Sequence, residues 1–213
     1  MCRVTICNSL LTKHRTFDWL KSFVTGDEKW VFHYNVTRKR SWVSRGKPAI
    51  ATSKGPMVQK KAMICVWWDV RGVIMMELLP PNTTVTKELY CEQLDRLDTK
   101  IKELRPQIDK VRYHHDNAPA HRAKMTSEKL ANLGWEVLPH PPYSSDLAPT
   151  DFHLFRALKN HIANMQLNDN DHIRTELETF FKEKPQSFYA HGIESLQQRW
   201  RDVIDIDGDY LED

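Results

Sequence analysis

The stretch from Lys61 to Val70, reading KAMICVWWDV, limits the possible folds more than any other part of the chain. A nearly unbroken apolar strand needs cover on both faces, so it belongs in the middle of a sheet. Arg71 and Gly72 turn the chain, Val73 to Leu79 returns as a hairpin partner, and Pro80 and Pro81 stop it. Upstream, Asp27 to Asn35 alternates. Asp27, Lys29, Val31 and His33 fall on one side, and Glu28, Trp30, Phe32 and Tyr34 on the other. That period of two predicts a second strand. Gly26 reads as the end of the segment before it, where residues 1–23 carry apolar residues at helical spacing with a break near Lys13 to Arg15. A short strand is expected at Ser41 to Val43, followed by an exposed Gly/Pro/Lys loop from Arg45 to Pro56.

The second half interleaves helices. Tyr90, Leu94, Leu97, Ile101 and Leu104 recur on one stripe, predicting a helix over 86–104 that Pro106 ends. Val111 to His115 reads as a short strand, Arg122 to Leu133 as a helix closed by Gly134, and Trp135 to Leu138 as another strand. Residues 140–149 hold three prolines and cannot be regular. A helix then opens at Thr150 or Asp151, and two more follow over 171–184 and 187–204. Hairpins first and interleaved helices later predict one α/β layer fold with a mixed central sheet flanked by helices.

At 213 residues, 40% hydrophobic and 28% charged, the chain can bury one core. No apolar run approaches the ~20 residues that span a bilayer, so no membrane partner is expected. Its four cysteines form no Cys-x-x-Cys pair, which argues against a zinc ribbon or a redox motif. Net charge is only +3, but from Lys29 to Trp68 there is no acidic residue, and Lys29, Arg38, Lys39, Arg40, Arg45, Lys47, Lys54, Lys60 and Lys61 all lie in that span. Such a segment suits either a polyanion partner or a merely solvated face.

Three carboxylates stand out. Asp116 follows the strand ending in His114-His115. Asp151 comes after thirty-four intervening residues, and Asp27 lies on the first strand. Hard divalent cations take carboxylate oxygens together with substrate phosphate oxygens, and two such ions can serve both sides of a phosphorus. Spacing alone leaves this open. Asp151 could equally be a helix N-cap, Asp146 is a rival that suits an Asx-turn, and His114, His115, His121, His140 and His153 could suggest zinc. Glu28 neighbours Asp27 but points to the opposite face of its strand, which argues against a ligand role.

The words around these residues narrow the choice. Thr25 to Trp30 (TGDEKW), His115 to His121 (HDNAPAH) and His140 to Phe155 (HPPYSSDLAPTDFHLF) together resemble the catalytic domain of mariner-family DNA transposases, and the resemblance runs from about Arg3 to the acidic tail. It implies a ribonuclease H-like fold over 25–213, with 1–24 as residual linker helices. It implies that Asp27, Asp116 and Asp151 are the catalytic metal ligands for two Mg²⁺ or Mn²⁺ ions. The implied activity is cleavage at transposon ends, then joining of the freed 3′-hydroxyl to target DNA without a covalent protein intermediate. It also implies a homodimer acting in the nucleus. Arg38, Lys39, Arg40, Arg45 and Lys47 are expected to contact DNA phosphates, and His121 either to contact DNA or to orient Asp116. Full-length relatives carry preceding helix-turn-helix units, so this chain is expected to begin in the linker before the catalytic domain. A domain of this family could alternatively serve as a DNA-binding or dimerisation module with its chemistry idle.

Overall fold

The computed structural model describes residues 3–13, 17–36, 43, 60–81 and 83–212. The expected strand at Ser41 to Val43 and the loop from Arg45 to Pro56 lie outside these residues, apart from Val43. Helix α1 (Arg3–Lys13) and a 3₁₀ turn (Phe17–Ser22) lead into β1 (Phe23–Phe32). Strands β2 (Lys61–Asp69) and β3 (Gly72–Leu78) follow, then α2 (Lys87–Leu104), β4 (Arg112–His114), α3 (Lys124–Asn132) and β5 (Glu136–Val137). A π-helix (Thr150–Phe155) runs straight into α4 (Arg156–His161), and α5 (Asn170–Glu183) and α6 (Gln186–Asp205) complete the order.

The sheet order is β3-β2-β1-β4-β5. β1 pairs antiparallel with β2 and parallel with β4, and β4 pairs parallel with β5. The expected mixed sheet is therefore present, with β1 at its centre and β2 beside it. Period-two alternation divides the core in two. Phe23, Val31, Ile64, Val66 and Trp68 face one way, packing with α1, the π-helix, α5 and α6. Val24, Cys65 and Trp67 face the other way, against Tyr90, Leu94, Leu97 and Ile101 of α2 and Leu130 of α3. The α2 stripe forms as expected except at its last residue, since Leu104 is exposed. Thr86 caps that helix, its hydroxyl accepting from the Leu89 N–H.

Two sequence expectations are corrected here. β1 starts at Phe23, so Gly26 lies inside the strand, paired with Trp67. The reason is steric: a Cβ on Gly26 would stand 2.2 Å from Trp67 Cδ1. The indole cannot yield easily, because it is buried and its Nε1 donates to Tyr113 Oη at 2.9 Å. Asp146 is not a simple turn residue. It is buried, and its carboxylate accepts from Arg3 Nη1 (2.9 Å), Arg3 Nη2 (2.5 Å) and the Leu211 N–H (3.0 Å). That pair fastens α1 and residues 208–211 to the proline-rich loop, with Arg3 Nε also donating to the Gly208 carbonyl.

Gly26→Ala is expected to lower unfolding free energy by about 1–3 kcal/mol through overpacking, measured by urea denaturation. Unchanged stability would mean that Trp67 has room to move. Arg3→Met leaves a buried carboxylate without its cation and is expected to cost about 3 kcal/mol in the same assay.

Candidate active site

Parallel pairing sets the geometry. Thr25 is level with His114 in the β1–β4 register, so two residues further along each chain Asp27 and Asp116 emerge side by side. Asp27 is part-buried, on the face of β1 turned towards the π-helix, and its Oδ1 accepts the Glu28 N–H at 2.7 Å. Asp116 lies just past β4, with its side chain 40% exposed. Its Oδ1 accepts the Ala118 N–H at 2.9 Å and a hydrogen bond from His121 Nδ1 at 2.6 Å. Asp151 is the second residue of the π-helix, not its cap, and stands within hydrogen-bonding reach of Asp27. Trp68 holds this turn against the sheet, its Nε1 donating to Thr150 Oγ1 at 3.0 Å.

The structure thus draws the three sequence-predicted aspartates together, and their charges act on one another. Burial pushes the Asp27 carboxyl well above the usual carboxylate range, and the charges of Asp151, Glu28 and Asp116 push it further. Asp151 is also raised, by burial first. The nearby Lys29 cation opposes that rise and Asp116 adds to it. Asp116 goes the other way. Burial would raise it, but the bonds from His121 and the Ala118 N–H hold it down at about 2. Burial likewise disfavours the His121 cation, yet its bonds to Asp116 and Glu28 lift it to about 10. Among the described residues, no group of three His, Cys, Asp or Glu side chains is arranged to hold a metal ion as it stands.

The histidines have other partners. His114 Nδ1 meets Thr25 Oγ1 and its Nε2 meets His140 Nδ1, each at 3.1 Å. His115 Nδ1 bonds Tyr90 Oη at 2.9 Å, and that hydroxyl bonds Tyr113 Oη at 2.8 Å. Burial keeps His114 well below its ordinary value, His115 at about 3 and His140 at about 4, so all three are neutral near pH 7. His153 points away, donating to the Phe188 carbonyl at 2.9 Å and filling the space above Gly192.

A cleft of about 870 Å³ opens over Asp116 and Asp151, lined also by Asn117, Arg122, His140, Tyr143 and Ser145. Arg38, Lys39, Arg40, Arg45 and Lys47, the expected DNA contacts, lie outside the described residues. His121 is buried with both ring nitrogens taken by carboxylates, which leaves none for a phosphate. Sequence reasoning missed Arg122 and Tyr143. Tyr143 is fully exposed at the cleft lip with φ +53°, and an aromatic between prolines and serines in an irregular loop was its available signal. Glu28 was also set aside, yet its Oε1 accepts from His121 Nε2 at 3.2 Å.

Comparison with known proteins places the chain in a family. The family described as transposase (partial DDE domain) matches residues 32–111. The chain is 40% identical to the mariner Mos1 transposase of Drosophila mauritiana over 99% of its own length, and spans 62% of that relative. It is 33% identical to the histone-lysine N-methyltransferase SETMAR of Homo sapiens, spanning 31% of it. Among solved structures, the Mos1 mariner paired-end complex with Mn superposes with a TM-score of 0.94 at 41% identity, the chain covering 62% of it. The crystal structure of the Mos1 catalytic domain superposes at 0.84 with 36% identity, and there the chain covers 94% of that structure and 99% of itself is matched. The fold is the ribonuclease H-like DDE fold, and the chain belongs to the mariner family of DNA transposases, matching their catalytic domain.

Proposed function

We propose that this chain cuts DNA strands at transposon ends and transfers the freed ends to target DNA by metal-dependent phosphoryl transfer. The observation that carries this reading is the mutual approach of Asp27, Asp116 and Asp151, the last two on the cleft wall, in a fold matched along nearly its whole length by a transposase catalytic domain. The donor set suits Mg²⁺ or Mn²⁺: hard carboxylate oxygens, crowded enough that two of them resist ionising without added positive charge. Mos1 structures with Mn and with Mg support the same choice. Asp27, Asp116 and Asp151 would hold two ions. The chemistry such ions supply is activation of the attacking oxygen and neutralisation of the leaving one.

The chain's own residues do the rest. Asp116, held ionised by His121 and the Ala118 N–H, is the fixed anionic donor of the three. Lys29, close to Asp151, adds a cation beside the site. Arg122 and Tyr143 at the cleft wall offer a phosphate contact and a surface on which a base can stack. The substrates are transposon ends and target DNA, as the Mos1 paired-end and strand-transfer complexes suggest. The Mos1 complexes that pair two ends support a homodimer as the working unit. A chromosomal DNA substrate would favour action in the nucleus.

Purified protein is expected to nick supercoiled plasmid with Mn²⁺ or Mg²⁺. EDTA or Asp116→Asn should abolish nicking, as read on agarose gels. Equal nicking by wild type and Asp116→Asn would defeat the catalytic reading. Absence of nicking by either, with DNA still retarded, would favour a binding module instead. Tyr143→Ala is expected to weaken single-stranded DNA binding about tenfold, measured by fluorescence anisotropy. Raising salt should weaken wild type and variant by the same factor, because stacking does not release counterions.

A further inference from the structure

We infer that Glu28, on the face of β1 turned away from Asp27, is a positioning residue that sets the Asp116 carboxylate through His121. The inference rests on Asp116 being a metal ligand, as proposed above. The contacts form one line: the Glu28 carboxylate, the His121 ring, the Asp116 carboxylate and the cleft. An ionised carboxylate can only accept. Facing Asp116 at 2.6 Å and Glu28 at 3.2 Å, both ring nitrogens of His121 therefore act as donors.

The ring has little freedom. Its side chain is 1% exposed. Tyr90 lies 4.2 Å away, centroid to centroid, and His115 stacks 5.0 Å away at an interplanar angle of 12°. These neighbours fix the plane of the ring but not whether Nδ1 or the Cδ2 carbon faces Asp116, since a half-turn about the Cβ–Cγ bond stays in that plane. Glu28 removes the ambiguity by holding Nε2. Asp116 depends on this hold because its own side chain is 40% exposed. Both hydrogen bonds described for it land on Oδ1, so the hold on this carboxylate acts through one oxygen. Losing a group that orients a metal ligand from behind typically costs about 10- to 100-fold in metal affinity. The arrangement also makes β1 the common source of one ligand and of the prop behind another: Asp27 on one face, Glu28 on the other.

The test uses Glu28→Ala and Glu28→Gln in the full chain, with thermal unfolding to confirm folded protein. Without DNA, Mn²⁺ binding followed by electron paramagnetic resonance should weaken about 10- to 100-fold in Glu28→Ala. Glu28→Gln, whose amide oxygen still accepts from Nε2, should recover most of that loss. Saturating Mn²⁺ should return Glu28→Ala nicking towards the wild-type rate, since the ligand is misplaced and not removed. Wild-type Mn²⁺ affinity in folded Glu28→Ala would overturn the inference, as would equal losses in the two variants. If wild type binds no Mn²⁺, or Asp116→Asn binds it equally well, the metal reading falls separately. The positioning role is then decided by the Asp116 carboxyl ¹³C signal in metal-free protein. A shift in Glu28→Ala supports it, and an unmoved signal overturns it.

Discussion

Three residue pairs join β1 to β4 in parallel: Phe23 with Arg112, Val24 with Tyr113 and Thr25 with His114. This short ladder brings a carboxylate from the first strand level with one from a strand nearly ninety residues later. The packing on both faces protects it. Phe23 is fully buried and stacks on His114, and His114 in turn bonds the Thr25 hydroxyl across the ladder. On the other face, Val24 and Tyr113 sit in the α2 core, and Tyr113 accepts from Trp67 of β2. A slip of one residue would turn Asp27 to the wrong face, and would also lose the clearance that Gly26 gives Trp67.

Buried carboxylates are treated in two ways in this molecule. Asp69 is fully buried, and Arg105 meets it at 2.7 and 3.1 Å while the backbone N–H groups of Arg71 and Gly72 bond its Oδ1. Asp146 has Arg3. Both are satisfied internally, as buried charges must be. Asp27 is different, because the charges that act on it most strongly all belong to other carboxylates. The fold therefore leaves one region short of positive charge while balancing its other buried acids, and the shortage coincides with an open cleft.

Much of this was legible in the sequence. Strand alternation located β1, the apolar run located β2, and the α2 stripe found its core face, because each follows from periodicity within one segment. The aspartates could be picked out because the words around them resemble a known family. What stayed hidden depends on contacts between segments. Gly26 reads locally as a terminator, and only the Trp67 indole explains its place inside a strand. Glu28 is excluded by alternation if the site is assumed to lie on one side of the sheet. It returns because His121, ninety-three residues away, reaches round from α3's approach to meet it. Asp146 looks like any turn aspartate until Arg3 arrives from 143 residues earlier.

The π-helix at Thr150–Phe155 has a consequence for how this site tolerates length changes. A π turn amounts to an α-helix that has absorbed one extra residue. Each residue of an α-helix advances the side chains by about 100°. Here Thr150 is anchored to Trp68 at one end, and Phe152, Leu154, Phe155 and Leu158 are seated in the core along the rest. Removing one residue would leave those anchors in place only if the intervening side chain rotated, and Asp151 is the residue between them. The wide turn acts as a phase adjuster: it lets the hydrophobic frame of the helix and the aim of its single carboxylate be set independently.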